Sequence, residues 1–249
     1  MLTLLFVFLS FALPLVDSTR APYFDLTQKF SQLAYWLSQS GGKVGATIVA
    51  VSVLSLFAWC RDIAPQRTLQ EISVILLIAA IFAGGGAALN EYVVKEQLKI
   101  PRPNIIFLAG EHGSGPLGMT PAAFYENNGH EARRKLLDKV LTMEPPPVPL
   151  SPSIKAHWLE TTGYSFPSGH SFSAMFFATF FLMLAATYLT TNKLRVFYAL
   201  LPWALAVCYS RSILRVHTPS DISVGGLFGL AIGLAAWAVV RTLIRRLSR

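Results

Sequence analysis

The chain has 249 residues, of which 53% are hydrophobic and only 14% charged, and its mean hydropathy is +0.49. Soluble domains carry about a quarter charged residues, so this balance excludes an ordinary water-soluble domain and points to a membrane protein. The formal net charge of +8 has no soluble basic face to carry it, so it reads as a basic membrane rim plus an anion site, not as a nucleic-acid surface.

Six stretches lack Asp, Glu, Lys and Arg: residues 1–16, 44–60, 72–89, 171–192, 196–210 and 222–240. Each approaches the ~20 residues, or about 17 with anchoring flanks, that cross a hydrocarbon core ~30 Å thick. No water reaches that depth, so backbone groups must pair within the segment, and the runs do not alternate as barrel strands would. The expected fold is all-α: one polytopic membrane domain over residues 1–249, with six transmembrane helices, a catalytic core over about 72–240 and a long outward-facing loop, 104–158, between spans three and four. The first run lacks the basic leader and small-residue cleavage pattern of a secretory signal and reads as a retained span.

In a six-span count, Arg61 and Arg67, then Lys193 and Arg195, then Arg241, Arg245, Arg246 and Arg249 fall on one side. The positive-inside bias makes that side, and both termini, cytoplasmic. Cys60 and Cys208 then lie at opposite faces and act as apolar filler. The outward loop holds Glu111-His112-Gly113-Ser114-Gly115 and a helical patch, 130–143, with Leu136, Leu137, Val140 and Leu141 on one side and Arg133, Arg134, Lys135 and Lys139 among them. That patch either lies on anionic headgroups or packs as a solvated helix on the membrane domain. Pro145, Pro146, Pro147 and Pro149 follow as a stiff spacer.

Three short motifs sit at the outward mouths of these runs: Lys95-x6-Arg102-Pro103, Pro167-Ser168-Gly169-His170, and Ser210-Arg211-x5-His217-x3-Asp221. Thr218 is placed to cap the last helix, with Pro219 at its first position and Asp221 in its first turn. A carboxylate there can fix one ring nitrogen of His217 and leave the other's lone pair free to attack. Gly169 lets backbone N–H groups approach an anion at a helix N-terminus, and His170 beside it can protonate a leaving group. Lys95, Arg102 and Arg211 match the charge that phosphoryl transfer concentrates on non-bridging oxygens. Singly, each motif has a plain alternative: a packing His-Asp pair, a capped helix start, or snorkelling anchors, the last being the better reading for Lys99 and Arg215.

Together, in this order, the motifs resemble the type-2 phosphatidic acid phosphatase superfamily. The segment from His157-Trp158 through Glu160-Thr161-Thr162-Gly163-Tyr164-Ser165-Phe166, with Phe124-Tyr125, is similar to the phosphatidylglycerophosphatase B branch. The resemblance implies a bacterial cytoplasmic-membrane enzyme, facing the periplasm, that hydrolyses phosphatidylglycerol phosphate, phosphatidic acid or undecaprenyl diphosphate. It further implies that His217 is the nucleophile and forms a phosphohistidine, Asp221 its orienter, and His170 the acid and then the base. Lys95, Arg102, Ser168, Gly169 and Arg211 would bind phosphate, joined by His170. The motifs hold one carboxylate, so no cofactor and no Mg²⁺ are expected, and the dispersed His112, His130 and His157 argue against zinc. The partner is a lipid phosphate in a bilayer. A phosphotransferase using another lipid as acceptor, or a lipid or anion transporter, would share the cations; only an enzyme needs the His-Asp pair beside a second His.

Overall fold

The computed structural model describes residues 25–126 and 129–247, so the first apolar run, 1–16, and Arg249 lie outside the described residues. Its α-helices are α1 (Lys29–Gly41), α2 (Lys43–Cys60), α3 (Pro65–Leu89), α4 (Lys95–Leu98), α5 (Pro103–Ala109) and α6 (Pro121–Glu126). They continue as α7 (His130–Leu141), α8 (Pro152–Glu160), α9 (Gly169–Tyr188), α10 (Thr191–Phe197), α11 (Leu200–Ile213) and α12 (Pro219–Leu247). Among the described residues five helical stretches are long and apolar enough to cross a membrane: Lys43–Cys60, Pro65–Ala109, Gly169–Tyr188, Thr191–Ile213 and Pro219–Leu247. They contain the second, third, fifth and sixth apolar runs of the sequence and all of the fourth but residues 189 and 190.

Helix α3 starts on Pro65, whose missing N–H costs nothing in a first turn, and runs through a π-helical turn, Asn90–Val94, into α4. At 1.5 Å per residue this continuous helix reaches about 50 Å, well beyond a ~30 Å hydrocarbon core. Lys95 therefore stands past the end of the apolar part.

Helix α9 is the centre of the bundle. Phe172, Phe176 and Phe180 stack along it, with ring centroids 6.1 and 5.7 Å apart, and all three are buried. Its main partner is α12, which presents Gly225, Gly229 and Gly233, spaced by four. A Cβ at Gly233 would stand 2.9 Å from the Phe176 carbonyl oxygen, and at Gly225 and Gly229 it would meet the backbone of Ser168 and Phe172. Small residues at this spacing let two backbones pack directly where the solvent is itself apolar. The close approach brings the two helix N-termini together, and the Ser168 N–H donates to the Asp221 carbonyl at 2.9 Å.

Helix α1 precedes the spans and is no apolar run. Its buried face is Ser31, Ala34, Ser38 and Gly41, small residues at helical spacing, and it docks on α11. Gly41 lies against the Val207 side chain, and Trp203 Nε1 donates to Ser40 Oγ at 3.0 Å.

The expected loop of 104–158 is a folded helical cap. Ile105, Leu108, Phe124, Leu137, Val140, Leu141, Val148, Ile154 and Trp158 share one buried cluster with Leu214 and Val216 of the segment before α12. Of the two readings of the 130–143 patch, packing on the protein holds for its leucine face, and Arg133 sits over the Tyr125 ring at 5.4 Å. Trp158 Nε1 donates to the Leu214 carbonyl at 2.9 Å, locking the cap to the chain that carries His217. Arg215 is not a rim anchor: it is buried, with its guanidinium over Phe107 at 5.9 Å.

At the opposite end of the bundle, Arg61 and Arg67 close on buried Glu71 at 2.6 and 3.3 Å. Lys193 Nζ donates to the Cys60 carbonyl at 2.8 Å, and Arg241 lies over Trp237 at 5.4 Å. Cys60 and Cys208 are both free thiols.

Candidate active site

Lys95, Arg102, Gly169, His170, Arg211 and His217 line one cavity of about 440 Å³ at the cap-side end of the bundle. Gly84, Ala87 and Ala88 of α3 form a small-residue wall on its helix side, while His130, Glu160 and Thr161 stand at the cap side. Asp221 lies behind His217, outside the lining. The Ser168 side chain also stays out of it. It caps α9, accepting from the Ser171 N–H at 3.4 Å and the Ser171 hydroxyl at 3.0 Å.

His217 is held from both faces of its ring. Nε2 lies 3.2 Å from Arg102 Nη1. A guanidinium has only donors, so Nε2 is the unprotonated acceptor and Nδ1 carries the hydrogen. Nδ1 faces Asp221 Oδ2 at 3.4 Å, long for a direct hydrogen bond, and Ser165 Oγ at 3.3 Å. The Ser165 hydroxyl in turn donates a short hydrogen bond to the same Asp221 oxygen. Asp221 also accepts from the Thr218 N–H at 2.8 Å, while its own N–H donates to Thr218 Oγ1 at 3.2 Å, so the capping expected of Thr218 is reciprocal. Burial, then the charges of Arg102 and Arg211, hold the His217 imidazole well below its ordinary value. It is neutral in the substrate-free site.

Arg102 sits at the N-cap of α5, with Pro103 at the first helical position. Its Nε donates to the Gly163 carbonyl at 2.7 Å and its Nη1 to the Val216 carbonyl at 3.1 Å. Its backbone N–H donates to the Tyr125 hydroxyl at 3.2 Å, and burial raises the Tyr125 phenol. Arg211 is 1% exposed near the end of α11. Nη1 donates to Ser38 Oγ and, at 2.9 Å, to His157 Nε2, while its buried Nε has no partner among the described residues. Lys95 pairs with half-exposed Glu91 at 2.6 Å.

Gly169 opens α9, and it and His170 line the cavity. The nearest atom to a Cβ built there is Asn90 Nδ2 at 3.7 Å, and a Cβ at Gly42 would lie 3.2 Å from His170 Nε2. His170 thus stands against the start of α2. Asn90 is buried on the same wall, its Nδ2 donating to the Pro167 carbonyl at 3.4 Å.

The three motifs, up to 126 residues apart (95 to 221), converge here. Sequence reasoning missed five neighbours: Ser38, Glu91, Asn90, Ser165 and His157. Glu91 was recoverable, since a carboxylate four residues before Lys95 on one helix face is a standing ion-pair signal. The other four carry no local mark. Glu91 and Glu160 also add carboxylates that counting within the motifs left out, although no three His, Cys, Asp or Glu side chains converge as a metal cluster among the described residues.

Comparison with known proteins agrees with this geometry. The family pattern described as PAP2 superfamily matches residues 70–245. The chain is 30% identical over 224 residues to a phosphatidylglycerophosphatase B of Haemophilus influenzae, covering 86% of this chain and 84% of that one. To the phosphatidylglycerophosphatase B of Escherichia coli K12 it is 27% identical over 209 residues, covering 84% and 76%.

Proposed function

The chain belongs to the PAP2 superfamily and is a multi-pass membrane phosphatase, and from that premise we propose that it hydrolyses membrane lipid phosphates or diphosphates through a covalent phosphohistidine on His217. Phosphatidylglycerol phosphate, phosphatidic acid and undecaprenyl diphosphate are the substrates to try. The names of the two relatives favour the first.

The state of His217 supports this most directly. Its Nε2 lone pair accepts from Arg102 Nη1 at the cavity lining, and its Nδ1–H is backed by Ser165 and Asp221. The substrate's non-bridging oxygens take over Arg102, Arg211, Lys95 and the first N–H groups of α9. That releases Nε2 to attack phosphorus. The P–N bond forms as the lipid P–O bond breaks, His170 gives its proton to the departing oxygen, and Asp221 stabilises the imidazolium left on His217. Water then attacks phosphorus, His170 takes its proton, and the P–N bond breaks to release phosphate. The small-residue wall at Gly84, Ala87 and Ala88 suits a lipid chain lying beside the headgroup. Three cations around the cavity suit charge neutralisation without a metal, with Ser168 shaping the helix start and its hydroxyl engaged in the cap.

The retained first run completes six spans in this proposal, with one domain over 1–249. Both termini then sit in the cytoplasm of a bacterial inner membrane and the cavity opens to the periplasm. A reporter inserted near Gly113 should read periplasmic.

Purified protein should release phosphate from a panel of diacyl and polyprenyl phosphates and diphosphates, in excess EDTA, with orthovanadate inhibiting. Loss of activity in EDTA with recovery in Mg²⁺ overturns the metal-free route. Label passing to a second lipid instead of water makes the protein a phosphotransferase, and binding without bond cleavage makes it a transporter.

A further inference from the structure

His157 is a buried titratable group that the mechanism above does not use. It sits in the last turn of α8, 4% exposed, with its ring edge-on to Tyr35 of α1 at 5.9 Å. Its Nε2 accepts from Arg211 Nη1 at 2.9 Å, on the same nitrogen that Ser38 Oγ accepts from. We propose that His157 is a positioning residue for phosphate binding: as a neutral acceptor it holds one arm of Arg211, with Ser38, and leaves the charge and the Nε–H of that guanidinium to the substrate. This rests on the phosphatase reading and extends it to the residue that aims one of its cations.

The choice of side chain has a physical reason. A guanidinium buried inside a helix bundle must have its donors accepted, and a carboxylate is the strongest acceptor. A carboxylate beside Arg211 would also cancel its charge and compete with phosphate for the same fork. No carboxylate pairs with Arg211 among the described residues, and both of its partners are neutral. Burial, then the charges of Arg211 and Arg102, push the His157 imidazole down to about 2, so it does not become a competing cation at any physiological pH. With Nη1 fixed from behind, the buried Nε–H, which has no partner among the described residues, is one of the donors left for an anion.

The test uses full-length purified protein carrying His157→Ala, His157→Gln or His157→Glu. Three quantities are read: kcat and KM on phosphatidic acid, the inhibition constant of orthovanadate, and the melting temperature. His157→Ala should raise KM and the vanadate constant by about 10- to 100-fold, the range found when a supporting contact to a ligating group is lost, with a smaller change in kcat. His157→Gln, which keeps a neutral acceptor, should recover most of that loss. His157→Glu supplies a buried ion pair and so should melt no lower than His157→Gln, yet bind vanadate worse. A merely structural role predicts the reverse order, with Glu at least as good as Gln. Equal vanadate binding by Gln and Glu, no rescue by Gln, or wild-type binding in all three overturns the inference alone. The Gln and Glu pair decides even where Ala fails to fold. Absence of both phosphate release and vanadate inhibition in the wild type overturns the phosphatase reading and the inference with it.

Discussion

Arg61 and Arg67 at one end of the bundle close on a buried carboxylate, Glu71, at 2.6 and 3.3 Å. Arg102 and Arg211 at the other end are 5% and 1% exposed, and neither pairs with a carboxylate among the described residues. Backbone carbonyls, a hydroxyl and neutral imidazole nitrogens hold them instead. Both ends give their guanidinium groups hydrogen-bond acceptors, Arg211 Nε excepted, but only the first also sets a carboxylate against their charge. Charge that is hydrogen-bonded yet left uncompensated is a standing attraction for an anion. Lys95 is the intermediate case: its partner Glu91 is half exposed, so an arriving phosphate has an ion pair to displace there.

The largest effects should come from the two histidines that face this charge. His217→Ala should lose at least about 10⁴-fold in activity, as removal of a nucleophile does, and form no labelled enzyme from a ³²P substrate. His170→Ala should slow each proton transfer by about 10² to 10⁴. Given an aryl phosphate, whose leaving group needs no acid, it should accumulate acid-labile label on His217. Label in His217→Ala, or none in His170→Ala at long times, reverses the assignment.

Substitutions at the two ends should give crossed results. Arg211→Met should lower kcat/KM by about 10² to 10³, the cost of one transition-state donor, with no fall in melting temperature. Glu71→Gln leaves the charge of part-buried Arg61 without its carboxylate and should destabilise by about 3–5 kcal/mol, while the folded fraction keeps its kcat/KM. Equal stability loss at both ends would break the distinction.

A pH profile sharpens it. His217 must be neutral to attack, and burial with the Arg102 and Arg211 charges depresses its pKa from 6.5. The base form therefore persists as pH falls through 6.5, and labelling of His217 by an aryl phosphate should decline only well below that value. Arg102→Met removes the charge that, after burial, depresses His217 most, and should move this acid limb upward. The smallest effect is on stability: orthovanadate at 100 times its dissociation constant should add about 2.7 kcal/mol, seen as a higher melting temperature, and Arg211→Met should abolish most of the gain.

Hydropathy and motif chemistry are properties of neighbouring residues, and what rests on them was legible in the chain. The second to sixth apolar runs fall within the five candidate spans but for residues 189 and 190, and Thr218, Pro219 and Asp221 start α12 as their capping chemistry requires. Lys95, Arg102, Gly169, His170, Arg211 and His217 meet in one cavity. What the sequence left silent depends on backbones approaching one another. Helix α1 buries Ser31, Ala34, Ser38 and Gly41, residues with no apolar signal, and so escapes a count of hydrophobic runs. The cap reads as a loop because its cluster draws residues from Leu26 to Val216. Ser38 reaches Arg211 across 173 positions, His157 reaches it across 54, and Ser165 reaches Asp221 across 56. A buried hydrogen bond is a pairwise term whose distance is set by packing of helices far apart in the chain, and no single residue's polarity carries that distance.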